Sequence, residues 1–245
     1  MMDETRHLEL DLSRVGVIVP ALNEEEPLRI LLPALRSLGV GQIIVGNNGS
    51  TDSTAEVARE NGADVADAPV RGYGMACEAA MQLLGPHIHC VVFMDADMSI
   101  RAEHLPTLVA PLLDCDVDFI LAARPAHLRE PGAMTPPQRF GTWLATVLIR
   151  IGWGYPYRDM GPFRAIRREC LDRIDMQDRA FGWTVEMQVR AVELNLRIAE
   201  IDLPYHARVG KSKISGTVKG VFLAGYWILK TVGSLWLTKR SRLRR

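Results

Sequence analysis

Through the first half of the chain, runs of consecutive apolar residues alternate with stretches of helical periodicity. Residues 15–19 are apolar and end at Pro20, as a strand does. Residues 27–38 carry apolar side chains at helical spacing and stop before Gly39, a residue type that closes helices. Residues 43–45 read as a short strand, 54–61 as a helix closed by Gly62, and 63–68 as a weaker strand. Residues 74–84 are helical in pattern. The run 90–94 is continuously apolar, which suits a strand covered on both faces of a parallel sheet. Residues 104–113 predict a helix and 118–123 a strand. This repetition predicts an α/β fold with a doubly wound, mostly parallel sheet and helices on both faces.

The rhythm breaks at Pro125. Residues 127–137 read as a loop rich in Pro and Gly, 138–151 as an apolar helix, 162–166 as a short strand, 183–194 as a helix and 198–203 as a strand. No linker or repeat divides them, so residues 13–216 read as one domain whose second half caps the same sheet. Residues 218–238 are almost wholly apolar. A spanning helix would put Lys230 near the bilayer centre, at about 2.5–3.5 kcal/mol on insertion scales. Lys219 lies eleven residues away, on the same helical face. Residues 217–245 therefore predict an amphipathic C-terminal helix with a basic tail. It would lie in a membrane interface, or pack against the core or a second copy in a homodimer.

The 245 residues are ample for a core. Lys plus Arg number 29 and Asp plus Glu number 29, so overall charge predicts no nucleic acid or other polyanion as partner. Cys77, Cys90, Cys115 and Cys170 form no CxxC pair and read as buried thiols in a reducing compartment. The N-terminus has no basic stretch followed by an apolar one, so no signal peptide is expected.

Candidate chemistry gathers where strands end, the side on which open α/β sheets bind ligands. The strand 90–94 runs into Asp95-Ala96-Asp97. A spacing of two puts both carboxylates on one side of an extended chain, where they repel unless a cation lies between them. Mg²⁺ or Mn²⁺ with a phosphorylated ligand would supply that charge, while a solvated loop with a helix cap is the plainer alternative. Pro20-Ala21-Leu22-Asn23-Glu24-Glu25 follows the first strand and Gly46-Asn47-Asn48-Gly49-Ser50-Thr51-Asp52 the second. Either suits a base, ribose or phosphate, or a capped helix. Arg71-Gly72-Tyr73-Gly74 allows a ligand close approach at a helix start. Arg124 ends the fifth strand, where it could meet a phosphate or a carboxylate.

Together these segments resemble the family 2 glycosyltransferases of the GT-A fold. The likeness continues in Asp159-Met160-Gly161-Pro162-Phe163-Arg164, Phe181-Gly182-Trp183-Thr184-Val185-Glu186 and Arg208-Val209-Gly210-Lys211-Ser212-Lys213. These are similar to a bacterial branch likened to dolichyl- or polyprenyl-phosphate sugar transferases. The resemblance implies a UDP- or GDP-sugar donor, a divalent metal and inversion at the anomeric carbon. By residue, it implies that Pro20, Asn23, Glu24 and Asn47 line the nucleoside pocket, with Gly72 and Arg124 also on the donor side. It implies that Asp95 contacts ribose or the metal-bound phosphates and that Asp97 ligates the metal. The family usually carries an acid where Asn47 stands, which bears on base identity.

On the acceptor side, Glu186 lies where relatives place a carboxylate, and Asp159 is a second candidate. A hydroxyl acceptor needs such a base. A lipid phosphate is already ionised and needs cations, for which Arg164, Arg208, Lys211, Ser212 and Lys213 are suited. Asp159 and Glu186 could equally be ion-paired with Arg158, Arg164 or Arg190. The expectation is a metal-dependent inverting transferase acting on a polyprenyl phosphate, peripheral on the cytoplasmic face of the membrane. A soluble hydroxyl acceptor, a retaining reaction and a non-catalytic nucleotide-binding protein are the alternatives.

Overall fold

The computed structural model describes residues 10–180, 182–210, 226 and 229–237. Its elements run β1 (Val15–Ala21), α1 (Glu25–Ser37), β2 (Gln42–Asn47), α2 (Thr54–Glu60), β3 (Asp64–Asp67), α3 (Tyr73–Met81) and β4 (Cys90–Phe93). They continue with α4 (Leu105–Leu113), β5 (Phe119–Ala123), α5 (Pro136–Trp153), β6 (Arg164–Arg167), α6 (Arg168–Ile174), α7 (Trp183–Glu193) and β7 (Ile198–Asp202). Residues 229–237 are helical as well.

The strands form one seven-stranded sheet in the order β3-β2-β1-β4-β6-β5-β7. Alternate residues of each central strand feed two separate cores. Val17, Val19, Val92 and Ile120 face Leu28, Leu31, Leu32, Leu105 and Leu108 of α1 and α4. Ile18, Val91, Phe93, Phe119 and Leu121 face α3, α5, α6 and α7, with Trp183 at their centre. Burial on both faces explains the unbroken apolar runs of β1, β4 and β5.

Pro20 lies inside β1 rather than ending it. The Ile18 carbonyl accepts from Met94 N–H, so residue 18 faces the β4 side, and residue 20 faces the same side. The β4 ladder has stopped at the Ile18–Phe93 pair, so the missing Pro20 N–H breaks no bond there.

The structure differs from or adds to the sequence pattern at three further points. The 162–166 strand is β6, and it lies inside the sheet between β4 and β5, antiparallel to both. The helix α6 follows β6 without a loop, so no turn signal announced it. Cys115 is exposed, at φ 64 just past the end of α4, where a left-handed residue closes the helix at the surface. The other three cysteines are buried.

In the C-terminal stretch, Val232 and Leu235 are buried against the Trp183 core, while Leu229, Trp236 and Leu237 are exposed. The rest of the expected amphipathic helix and its basic tail lies outside the described residues. No helix among the described residues is long and apolar enough to cross a membrane.

Candidate active site

The C-terminal ends of β1, β2 and β4 lie side by side, because these strands are parallel neighbours. The chain leaves β4 through Met94 into Asp95 and Asp97. Asp95 Oδ1 accepts from the Tyr73 hydroxyl at 3.3 Å, and Asp97 Oδ1 accepts from Ser99 N–H at 3.0 Å. Burial, and then the charge of Asp97, push the Asp95 carboxyl up to about 7, against the pull of Tyr73, Arg124 and Arg208. Burial and the Asp95 charge raise Tyr73 well above the usual phenol range, so its hydroxyl stays a donor.

Arg208 enters this site from the far end of the chain. Its Nη2 lies 3.2 Å from Glu24 Oε1 and its Nη1 lies 3.6 Å from Asp97 Oδ2. Two backbone bonds hold its segment across the acids, Val209 N–H to the Asp97 carbonyl at 2.9 Å and His206 N–H to the Ser99 carbonyl at 2.8 Å. Arg208 therefore stands against the acid pair.

The loops after β1 and β2 are laced together. Asn23, at φ 53, accepts from Thr51 N–H through Oδ1 at 2.7 Å, and its own N–H donates to Ser50 Oγ at 3.0 Å. Glu24 N–H donates to Thr54 Oγ1 at 2.9 Å. Asn47 is buried, accepts from Ser50 N–H at 3.0 Å and donates through Nδ2 to Asp67 Oδ1 at 2.7 Å. Gly72 N–H donates to Asn48 Oδ1 at 2.7 Å. A Cβ on Gly72 would lie 2.3 Å from the Arg179 carbonyl oxygen, so only glycine lets the 178–180 segment cover the start of α3.

Three candidates on the acceptor side are committed elsewhere. Asp159 pairs with Arg124, not with Arg158, Arg164 or Arg190: Oδ2 accepts from Arg124 N–H at 2.8 Å and Nε at 2.7 Å, and Oδ1 from Arg124 Nη2 at 2.8 Å and Met160 N–H at 2.7 Å. Those four bonds fill its lone-pair positions. Burial alone would raise the Asp159 pKa; the bonds and charge of Arg124 instead hold it below the ordinary value. Arg124, stacked 5.0 Å over the Tyr205 ring, is held by the same pairing. Glu186, 2% exposed, accepts through Oε2 from Gln177 N–H at 3.0 Å and Asp178 N–H at 2.6 Å, with Arg190 Nε 3.8 Å from Oε1. Arg164, 1% exposed, donates to the carbonyls of Thr184 and Gly161. Lys211, Ser212 and Lys213 lie outside the described residues.

The profile of "Glycosyl transferase family 2" matches residues 16–175. The chain belongs to glycosyl transferase family 2. An uncharacterized glycosyltransferase of Mycobacterium tuberculosis is 38% identical over 213 residues, covering 86% of this chain and 94% of that one. A dolichyl-phosphate hexose transferase of Haloferax volcanii is 30% identical over 233 residues, covering 94% and 96%. Among solved structures, glucosyl-3-phosphoglycerate synthase of Mycobacterium tuberculosis, in complex with Mn²⁺, UDP-glucose and phosphoglyceric acid, superposes with a TM-score of 0.70 at 22% identity, covering 89% of this chain and 79% of that one. That likeness identifies the fold as GT-A.

The sequence pattern of this glycosyltransferase singles out neither Tyr73 nor Asp67. Tyr73 sits in a motif distinguished by its glycines, and Asp67 ends β3, so a strand end was the signal that could have found it. Asp95 and Asp97 are the residues that could hold a metal; no cluster of three or more His, Cys, Asp or Glu that could do so occurs among the described residues. Two carboxylates suit Mg²⁺ or Mn²⁺, which complete their shells with phosphate oxygens and water. The Arg208 guanidinium beside Asp97 marks the place as one that takes positive charge.

Proposed function

We propose that this glycosyltransferase moves a sugar, with inversion, from a nucleoside diphosphate sugar to a polyprenyl phosphate. Asp95 and Asp97 would hold Mg²⁺ or Mn²⁺, which when bound offsets charge on the leaving diphosphate as a Lewis acid. Tyr73 orients Asp95, and Ser99 N–H orients Asp97. Arg208 supplies a further cation to the diphosphate or the incoming phosphate. An acceptor phosphate oxygen forms the new bond to the anomeric carbon, the bond from that carbon to the diphosphate oxygen breaks, and the nucleoside diphosphate departs.

The observation that carries the acceptor reading is the state of the two candidate bases. Asp159 has no lone-pair position left, and Glu186 is buried under two backbone N–H groups and beside Arg190. A hydroxyl acceptor needs a positioned base, whereas a phosphate arrives ionised and needs none. The lipid is favoured by the dolichyl-phosphate relative and by α5. That helix exposes Phe140, Trp143 and Ile151, has no acidic residue, and carries Arg139 and Arg150, a composition suited to an anionic membrane surface.

The test is transfer from UDP- and GDP-sugars to polyprenyl phosphate, to polyprenol and to soluble alcohols, with the anomeric configuration of the product determined. Transfer to the phosphate alone, with inversion, is expected. Transfer to a soluble hydroxyl, abolished by Glu186→Gln, would replace this reading with the base-assisted one.

A further inference from the structure

We infer that Asp178 is a positioning residue for the acid pair, and that the C-terminal helix acts on the donor site through it. The inference rests on the donor site proposed above and adds which residues outside that site hold it in place.

Tyr73, whose hydroxyl donates to Asp95, is the first residue of α3. A helix leaves its first N–H groups without partners of its own, and the cap position of α3 is Gly72, which has no side chain to offer them. The segment after α6 supplies the missing acceptors. Gly74 N–H donates to the Ala180 carbonyl at 3.3 Å, and Met75 N–H donates to the Arg179 carbonyl at 3.1 Å. Arg179 also pairs with Glu78, further along α3. The start of α3, and Tyr73 with it, is therefore seated on residues 179–180.

Asp178 fixes those two carbonyls. Its Oδ1 accepts from Ala180 N–H at 2.8 Å and from Gly182 N–H at 3.1 Å, which folds the segment into an Asx turn. Its own N–H donates to Oε2 of buried Glu186 at 2.6 Å. Its other oxygen, Oδ2, accepts from the Thr231 hydroxyl at 2.9 Å. Thr231 is buried and belongs to the helix 229–237, whose Val232 and Leu235 reach the Trp183 core. Gly182 lets these groups meet, since a Cβ there would lie 2.0 Å from both Asp178 Oδ2 and Thr231 Oγ1. A continuous path thus runs from the Thr231 hydroxyl through the Asp178 carboxylate, the 179–180 carbonyls and the first turn of α3 to Tyr73 and Asp95. The last bond in it is already 3.3 Å long, so a small shift of α3 breaks it.

The experiment is calorimetric titration of UDP and of GDP into the full chain over a series of Mn²⁺ concentrations, with the melting temperature recorded for each variant. The variants are Thr231→Val, Thr231→Ser, Asp178→Ala, Asp178→Asn, Tyr73→Phe and Tyr73→Phe/Asp178→Ala. Thr231→Val should weaken Mn²⁺-dependent nucleotide binding about threefold and Asp178→Ala about tenfold, the range that the loss of one or two hydrogen bonds gives. Thr231→Ser and Asp178→Asn should bind as the wild type does, because the serine hydroxyl still donates and the asparagine amide can serve both the turn and Thr231. In the Tyr73→Phe background Asp178→Ala should add little, since the link through which it acts is already cut. Should Asp178→Ala not fold, Thr231→Val combined with Tyr73→Phe gives the same cycle. A merely structural Asp178 would lower the melting temperature and either leave Mn²⁺-dependent affinity alone or weaken it equally in both backgrounds. Either result overturns the inference and leaves the donor site standing. A wild type that binds no nucleoside diphosphate would remove the donor site and the inference with it.

Discussion

Asp159 and Asp97 are both buried carboxylates near one site, yet their surroundings separate them. Asp159 has four donors and a bidentate arginine; Asp97 has one backbone donor and a looser cation at 3.6 Å. The first should matter for stability. Asp159→Asn leaves Arg124 buried without its partner, and the loss of one member of such a pair costs about 3–5 kcal/mol in chemical denaturation. Because the folded-state pKa of Asp159 lies below its ordinary value of 3.8, its stabilisation is complete above that value and is lost as pH falls through the lower folded value. The gap in stability between wild type and Asp159→Asn should therefore be full at neutral pH and close in acid, as thermal melts across pH would record. Glu186→Gln keeps an oxygen for the two backbone donors and should retain transfer to lipid phosphate within about tenfold, the steady-state rate being the check. Residue types at strand ends made Asp95, Asp97, Asn23 and Glu24 legible in the sequence. What Asp159 and Arg124 do for each other was not, because they meet across 35 positions and no local pattern carries that information.

At the scale of the elements, hydrophobic periodicity located nearly every strand and helix, since burial on one face or two leaves a distinct period. It gave no direction for β6: a four-residue strand reads the same whether it runs parallel or antiparallel. The helix α5 was legible from its apolar pattern, and the structure adds how it starts. Thr135 Oγ1 accepts from Gln138 N–H, and the Gln138 side chain accepts from Thr135 N–H at 2.8 Å, a reciprocal cap ahead of the two prolines. Only Ala145 and Ile149 of α5 are buried, so the helix leaves Phe140 and Trp143 stacked at 5.6 Å and open to solvent. If α5 meets lipid, Phe140→Ser/Trp143→Ser should reduce co-sedimentation with anionic vesicles severalfold. Stability should change by no more than about 0.5 kcal/mol per site, because neither ring fills the core. Unchanged vesicle binding would remove α5 from the lipid surface.

For the molecule as a whole, the parallel strands β3-β2-β1-β4 present their ends to one edge, and segments distant in sequence are gathered there. Arg208 and Glu24, 184 positions apart, meet over Asp97. This convergence was visible in the sequence only as a resemblance, since separate motifs do not show which of them touch. It makes donor binding a property of the assembled site: removing divalent metal with a chelator should weaken nucleotide binding at least about tenfold in the wild type and have no further effect in Asp97→Ala, measured by titration. Nucleotide affinity indifferent to both would count against the acid pair as the metal site. The position of β6 has a different consequence, in the order of assembly. A ribosome delivers β4 and β5 before β6, yet the finished sheet keeps them apart by the width of the strand still to come. Until residues 164–167 emerge, β4 and β5 each carry an open edge toward the other, and pairing them directly would shut β6 out. Synthesis order and assembly order thus differ in this chain, and its slow step on refolding should be the insertion of the middle strand rather than the building of the nucleotide half.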